Sequence, residues 1–431
     1  MNYYSLNHKA PVVNFKEAAI RGQAPDKGLY FPERLPAIDK ELIKNIEVTG
    51  EAEIAFRVIK PYVGGTIPDD ALYQIVSETV NFPFPLQSIT DRIAALELFH
   101  GPTLAFKDVG ARFMSRCLGY FLKDEKKHVT VLVATSGDTG GAVASGFYGV
   151  EGIDVVILYP KNRVSPVQEK QLTALGKNIT ALEVNGNFDD CQRLVKQAFI
   201  DKDINAKRFL TSANSINVAR WLPQQFYYFF AYKQWQDKQT APVVTVPSGN
   251  FGNICAGLLA KSTGLPLGHF IAACNANDVV PSFLQTAHWE PKKAVATLSN
   301  AMDVGDPSNF VRIMQLFDQL LLQLKTTLSA ESISDAATIN TIKDVFDTTG
   351  YVLDPHGAVA FKAMENYLAE HQQSKGFILE TAHPVKFPDA VQQATGKEVR
   401  VPEALQSLMQ QPKHAIAMQP DFEMFKSYLL G

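Results

Sequence analysis

Cysteine is scarce in this chain of 431 residues: Cys117, Cys191, Cys255 and Cys274 are scattered, with no C-x-x-C pair. Such spacing supports neither a zinc framework nor a disulfide scaffold, and it suits reduced, buried thiols in a cytoplasmic protein. Long hydrophobic runs are missing. No apolar stretch approaches the ~20 residues needed to cross a bilayer, and the opening MNYYSLNHKAPVVNFKEA lacks the apolar core of a secretory signal. Neither sign of charge dominates. With 41 Lys+Arg against 44 Asp+Glu, the net charge of −3 gives no reason to expect nucleic acid or a membrane as partner. Established fingerprints are absent as well: G-x-G-x-x-G, G-x-x-x-x-G-K-[ST], G-x-S-x-G and H-E-x-x-H do not occur, which argues against dinucleotide, P-loop, hydrolase and zinc-protease chemistry. His100, His356 and His383 are isolated, so no metal is expected.

What is present is a large apolar fraction, 46%, enough for a big core divided over two or three subdomains. Residues 1–91 read as a mostly helical N-terminal subdomain, with ALYQIVSETV as one helix. From residue 92 the rhythm changes. IAALELF, VTVLVA, IDVVILYP, ITALEV and PVVTVP are short β-branched runs separated by helical stretches, the pattern of a parallel sheet covered on both faces. SPVQEKQLTALG predicts one such helix, capped by Ser165, opened by Pro166 and closed by Gly176. After residue 280 the chain turns helical again, with one further strand at GFILE. The region 92–431 is thus expected to be the catalytic part.

Chemistry concentrates where strands give way to helices. VLVA leads into Thr135-Ser136-Gly137-Asp138-Thr139, and VVTVP leads into Ser248-Gly249-Asn250-Phe251-Gly252. Glycines let backbone N–H groups approach an anion, and a helix N-terminus adds the positive end of its dipole. The second loop has the spacing of a phosphate cradle, and the first offers hydroxyls and N–H groups suited to a substrate carboxylate. A third feature is Lys107, placed after the Gly101-Pro102-Thr103 bend at the mouth of a helix whose apolar face is Val109, Phe113, Cys117, Leu118 and Phe121. A lysine together with an anion cradle on an α/β scaffold points to pyridoxal phosphate chemistry, the lysine holding the aldehyde. The pyridine nitrogen then needs a partner. Thr381, just after GFILE, fits that need, although a strand-end hydroxyl serves the backbone equally well.

Taken in order, ELFHGPTLAFKD, ATSGDTG, ILYP, SPVQEKQL, SANSIN, VPSGNFGN, LSNAMDV, DPHGAVAF and TAHPVKF resemble the threonine synthase family over about residues 1 to 395. The resemblance implies a fold type II pyridoxal phosphate enzyme, with two parallel-sheet α/β lobes and a mostly helical N-terminal subdomain. It implies that Lys107 binds the cofactor and shuttles protons, that the Ser248–Gly252 loop holds the cofactor phosphate, and that Thr381 faces the pyridine nitrogen. It also implies conversion of O-phosphohomoserine and water to threonine and phosphate by γ-elimination and β-hydration. Three positions depart from the family pattern. Asp138 stands where an asparagine beside the cofactor is common, Glu380 where glycine is usual, and Val385 where alanine is expected. Lys161, Arg163 and Arg220 are candidates for the substrate phosphate, unranked, and each could instead be a solvated surface charge. Alternatives are a related phospholyase releasing 2-oxobutyrate, an amino-acid dehydratase, and a non-catalytic pyridoxal phosphate-binding regulator. The expected assembly is a monomer or homodimer.

Overall fold

The five β-branched runs and GFILE all form strands, and they divide between two separate sheets. The computed structural model describes residues 1–123 and 128–431. The described chain divides into two compact units, one made of Met1, Phe31–Phe106 and Trp221–Arg400, the other of Asn2–Tyr30, Lys107–Arg220 and Val401–Gly431. These units cut across the expected 1–91 segment, whose first thirty residues belong largely with the second unit and whose remainder belongs with the first.

The first unit holds a six-stranded sheet. Its spatial order is Leu328–Ser332, Phe270–Cys274, Val243–Pro247, Gly376–Glu380, Ile93–Glu97 and Leu86–Ser88. All neighbours are parallel except the last pair, which is antiparallel. Strands so distant in sequence become neighbours because the three central ones, Phe270–Cys274, Val243–Pro247 and Gly376–Glu380, are buried along their whole length. Ile93, Ala95, Val243, Ile271 and Ile378 pack against Val359, Phe361 and Met364 of the helix Pro355–Glu370. Phe270–Cys274 and Leu328–Ser332 were not expected as strands. FIAAC is short, with alanine and cysteine at three of its five positions, and LSAES carries little β-branched signal, so tertiary pairing rather than local preference makes them extended.

The second unit holds a five-stranded, all-parallel sheet ordered Ile416–Met418, Ile179–Val184, Ile153–Pro160, Val129–Ala134 and Phe209–Ser212. Leu132, Val156, Leu158 and Leu182 bury against Leu194 and the C-terminal Phe425 and Leu429. The helix Lys107–Leu122 buries the predicted face of Val109, Phe113, Cys117, Leu118 and Phe121. Ser165 caps the helix Pro166–Thr173 in a capping box completed by Gln168. That helix ends earlier than expected, with Ala174 as its C-cap, while Gly176 takes a left-handed φ of 69° two residues beyond. Helices do dominate residues 1–91, among them Glu51–Val63 and Asp69–Thr79, yet an antiparallel pair Asn2–Ser5/Val13–Asn14 opens the chain. Among the described residues no helix is long and apolar enough to cross a membrane.

Candidate active site

Three adjacent strands of the first unit deliver three of the singled-out segments to one sheet edge. Val243–Pro247 pairs in parallel with Gly376–Glu380, which pairs in turn with Ile93–Glu97. Their carboxyl ends lead respectively into Ser248–Gly252, Thr381, and the bend that runs to Phe106, and this edge is where open α/β sheets bind ligands.

The bend is fastened to the Thr381 segment by backbone bonds. Leu98 N–H donates to Glu380 O (2.9 Å), Phe106 N–H to Thr381 O (2.9 Å), and His383 N–H to Leu104 O (3.1 Å). Ala105 and Ala382 form an antiparallel bridge. The Tyr227 hydroxyl donates to Phe106 O, so both backbone polar groups of Phe106 are held. Lys107 is the next residue, the first of its helix, and at this peptide bond the chain passes from the first unit to the second. A lysine at such a junction starts from a fixed Cα while its four-carbon stem stays adjustable.

The Ser248–Gly252 loop is shaped from behind. Ser248 N–H donates to Ala273 O and its hydroxyl to Val246 O, both at 2.8 Å. The Asn250 side-chain oxygen accepts from Ser308 N–H (2.7 Å), and its carbonyl accepts from the Asn309 amide group (3.1 Å). Asn309 is gripped by Arg312, whose Nη1 donates to Asn309 Oδ1 at 2.7 Å and whose guanidinium lies 4.3 Å from the centre of the Trp221 ring. Arg312 is wholly buried, so a cation stands behind the loop. Phe251 takes a left-handed φ of 60° as N-cap of the helix Gly252–Ser262, whose first N–H groups have no intrahelical acceptor. At Gly249 a Cβ would lie 2.6 Å from Met302 Cα, so only glycine permits this approach. Backbone N–H groups at a helix start, glycine without room for a side chain, and a buried guanidinium make a donor set that fits a phosphate.

Behind Thr381 lies a polar cluster that sequence reasoning did not assemble. Glu380 and Asp354 are both completely buried. Glu380 Oε1 accepts from Asp354 N–H (3.1 Å), and Asp354 Oδ1 accepts from His356 N–H (2.7 Å) and His356 Nδ1 (2.5 Å). Burial first, and the Asp354 carboxylate second, push the Glu380 carboxyl well above the usual carboxylate range. Burial holds His383 down at about 4, so its imidazole is neutral at physiological pH, and its Nδ1 accepts from Val385 N–H. Lys386, in the same TAHPVKF run, is also buried. The available signal was an acid ending a strand that is otherwise wholly apolar, GFILE.

In the second unit the loop Thr135–Thr139 stands at the carboxyl end of Val129–Ala134. Thr135 is buried, and its hydroxyl oxygen accepts from Gly137 N–H and Gly140 N–H, both at 2.9 Å, so it holds the loop's shape. Ser136 and Thr139 are half-buried. Gly137 has a φ of 135°, and a Cβ there would meet Gln168 at 2.4 Å. Gln168 Nε2 donates to the buried Asp138 Oδ1 at 3.0 Å, which explains how this carboxylate is tolerated at the first position of its helix. The three cationic candidates separate clearly. Arg220 is buried, its Nη1 donates to Ala213 O (2.6 Å), and it presses on Gly110, one turn past Lys107. Lys161 and Arg163 are exposed in the turn after Ile153–Pro160.

Residues 87–379 match the family described as pyridoxal-phosphate dependent enzyme, 2–80 match the threonine synthase N terminus, and 357–429 match the threonine synthase C-terminal family. The chain belongs to the threonine synthase family. It is 44% identical to threonine synthase of Haemophilus influenzae, with all of both chains covered, and 42% identical to that of Escherichia coli, again over both chains in full. The crystal structure of the Escherichia coli threonine synthase superposes with a TM-score of 0.92 at 41% identity, covering 100% of this chain and 99% of the other. A threonine synthase structure from Brucella melitensis with pyridoxal phosphate bound gives the same TM-score at 37% identity, covering 100% and 98%. The fold is therefore fold type II, and the chain is a pyridoxal phosphate-dependent lyase of amino-acid biosynthesis. Neither the phospholyase nor the non-catalytic regulator is favoured by these likenesses.

Proposed function

We propose that this threonine synthase family member acts on O-phosphohomoserine, with Lys107 as the amine that receives the cofactor aldehyde, Ser248–Gly252 as the phosphate cradle and Thr381 at the pyridine nitrogen. The observation that carries the proposal is the sheet edge of the first unit, where the phosphate-type loop, Thr381 and the anchored Phe106 that precedes Lys107 end adjacent strands. When bound, pyridoxal phosphate supplies an electron sink that acidifies first the α- and then the β-proton of an amino acid. Lys107 takes and returns those protons at its Nζ as general base and acid. Its backbone start is fixed through Phe106, so the amine can swing without moving the helix. The Thr381 hydroxyl can donate to a nitrogen lone pair or accept from its proton, but it does not supply a full charge as an aspartate would. The sink it supports is moderate. The loop 135–139 orients the substrate carboxylate through its N–H groups, Ser136 and Thr139, with Thr135 and Asp138 keeping the loop rigid. Arg220 is the candidate we favour for the substrate phosphate, because it is buried and packs on Gly110, one turn along the helix from Lys107, whereas Lys161 and Arg163 are solvated. The four buried thiols fit a reducing, cytoplasmic setting.

Incubation with O-phosphohomoserine in isotopically labelled water tests the reading. Threonine and phosphate in equal amounts, with solvent oxygen in the new hydroxyl, is the expected result. Phosphate released together with 2-oxobutyrate would indicate the phospholyase. Efficient dehydration of serine with phosphohomoserine inert would defeat both.

A further inference from the structure

Two buried carboxyl groups facing each other cannot both carry charge without a compensating cation, because desolvation and mutual repulsion act together. Glu380 and Asp354 are such a pair. Their outer oxygens, Glu380 Oε2 and Asp354 Oδ2, have no hydrogen-bond partner among the described residues. The two carboxyls interact side chain to side chain, and one proton shared between them satisfies both. Asp354 is the better anion of the two: it is the N-cap of the helix Pro355–Glu370 and accepts two N–H bonds from His356, where a negative charge is stabilised. Among the described residues Glu380 accepts only one N–H, and nearby Glu97 adds further negative potential. The proton therefore belongs on Glu380. Gly357 leaves the room this carboxyl needs, since a Cβ there would lie 2.0 Å from Glu380 Oε2.

The pair connects onward to the phosphate loop. With its Nδ1–H donating to Asp354 Oδ1, the His356 ring presents Nε2 as an acceptor, and Ala301 N–H donates to it at 3.2 Å. Ala301 lies in the short turn Asn300–Met302, and Met302 Cα is the atom that closes on Gly249. We propose that Glu380 is a positioning residue for the cofactor phosphate loop: its protonated carboxyl donates to Asp354, and the Asp354–His356–Ala301 chain sets the turn against which Gly249 rests. This rests on the reading of Ser248–Gly252 as the phosphate cradle.

The test uses the full-length holoenzyme. Its infrared spectrum at neutral pH should contain a carboxylic-acid carbonyl band that Glu380→Gln removes. Absence of that band, or its survival in the variant, overturns the shared proton. Glutamine keeps a donor of the same reach, so pyridoxal phosphate affinity should stay within about twofold of the parent, while the isosteric but donorless Glu380→Met should weaken it about tenfold, the size of one lost buried hydrogen bond. The phosphorus resonance of the bound cofactor should shift in the Met variant and not in the Gln variant. Gln and Met behaving alike, whether both intact or both weakened, refutes the positioning role. If Glu380→Met does not fold, His356→Leu breaks the same chain at Ala301, and parental cofactor affinity there is equally fatal. Borohydride labelling of the parent protein separates the two ideas: label on a lysine other than Lys107 sinks the cofactor reading and leaves the carboxyl pair untouched.

Discussion

Replacing Gly249 by alanine adds a single methyl group at the place where the phosphate loop has least room. The new Cβ would stand 2.6 Å from Met302 Cα and 3.1 Å from Met302 C. Both are backbone atoms, so no side chain can swing aside. Either the turn Asn300–Met302 or the loop must move. Overpacking of this kind costs about 1–3 kcal/mol in the protein without cofactor. A displaced loop also loses one charge-assisted hydrogen bond to the phosphate, worth about 1.5–3 kcal/mol, which corresponds to roughly 10- to 100-fold weaker binding. Fluorescence titration of the cofactor-free protein with pyridoxal phosphate measures the second effect, and thermal melting of the cofactor-free protein measures the first. Gly50→Ala is the control, because nothing lies within 4 Å of the Cβ it would gain. It should leave cofactor binding unchanged. If Gly249→Ala melts earlier but binds the cofactor as tightly as the parent, the phosphate lies elsewhere and the cradle assignment fails.

Other expected outcomes follow from the same geometry. Borohydride reduction should fix the cofactor on the peptide containing Lys107, and Lys107→Ala should abolish both the label and the visible absorbance; label on a different lysine would overturn the assignment. Thr381→Ala leaves the backbone carbonyl that holds Phe106 N–H, so cofactor attachment should persist while turnover falls about tenfold, the worth of one hydrogen bond near 1–1.5 kcal/mol. Loss of bound cofactor in a well-folded Thr381→Ala would make that residue a binding or structural element instead. His383 has a folded-state pKa lowered to about 4, against an ordinary value of 6.5. The unfolded chain therefore binds the extra proton first, and stability falls as pH drops from 6.5 through about 4. His383→Gln should flatten that part of the acid-unfolding curve relative to the parent, and an unchanged slope would show that His383 is not neutral in the fold.

The sequence by itself determined the local pieces. β-branched runs marked the strands that matter most, and the capping residues Ser165 and Pro166 marked a helix start to the residue. Glycine-rich junctions marked both anion-type loops, and the bend before Lys107 marked the start of its helix. All are nearest-neighbour properties, set by backbone sterics, hydrogen bonds a few residues long and side-chain periodicity. Only the tertiary structure decided the rest. Strand order placed Val243–Pro247 beside Gly376–Glu380 and Ile93–Glu97, joining segments more than a hundred residues apart. Burial separated Arg220 from Lys161 and Arg163, which composition could not rank. The Thr135 hydroxyl, expected to face a ligand, was instead drawn to the N–H groups of Gly137 and Gly140. Glu380 showed in the sequence only as an acid ending an otherwise apolar strand, GFILE. It acquired its chemistry when folding removed water and set it against Asp354, because a carboxyl's charge depends on solvent and neighbours that a linear chain does not reveal.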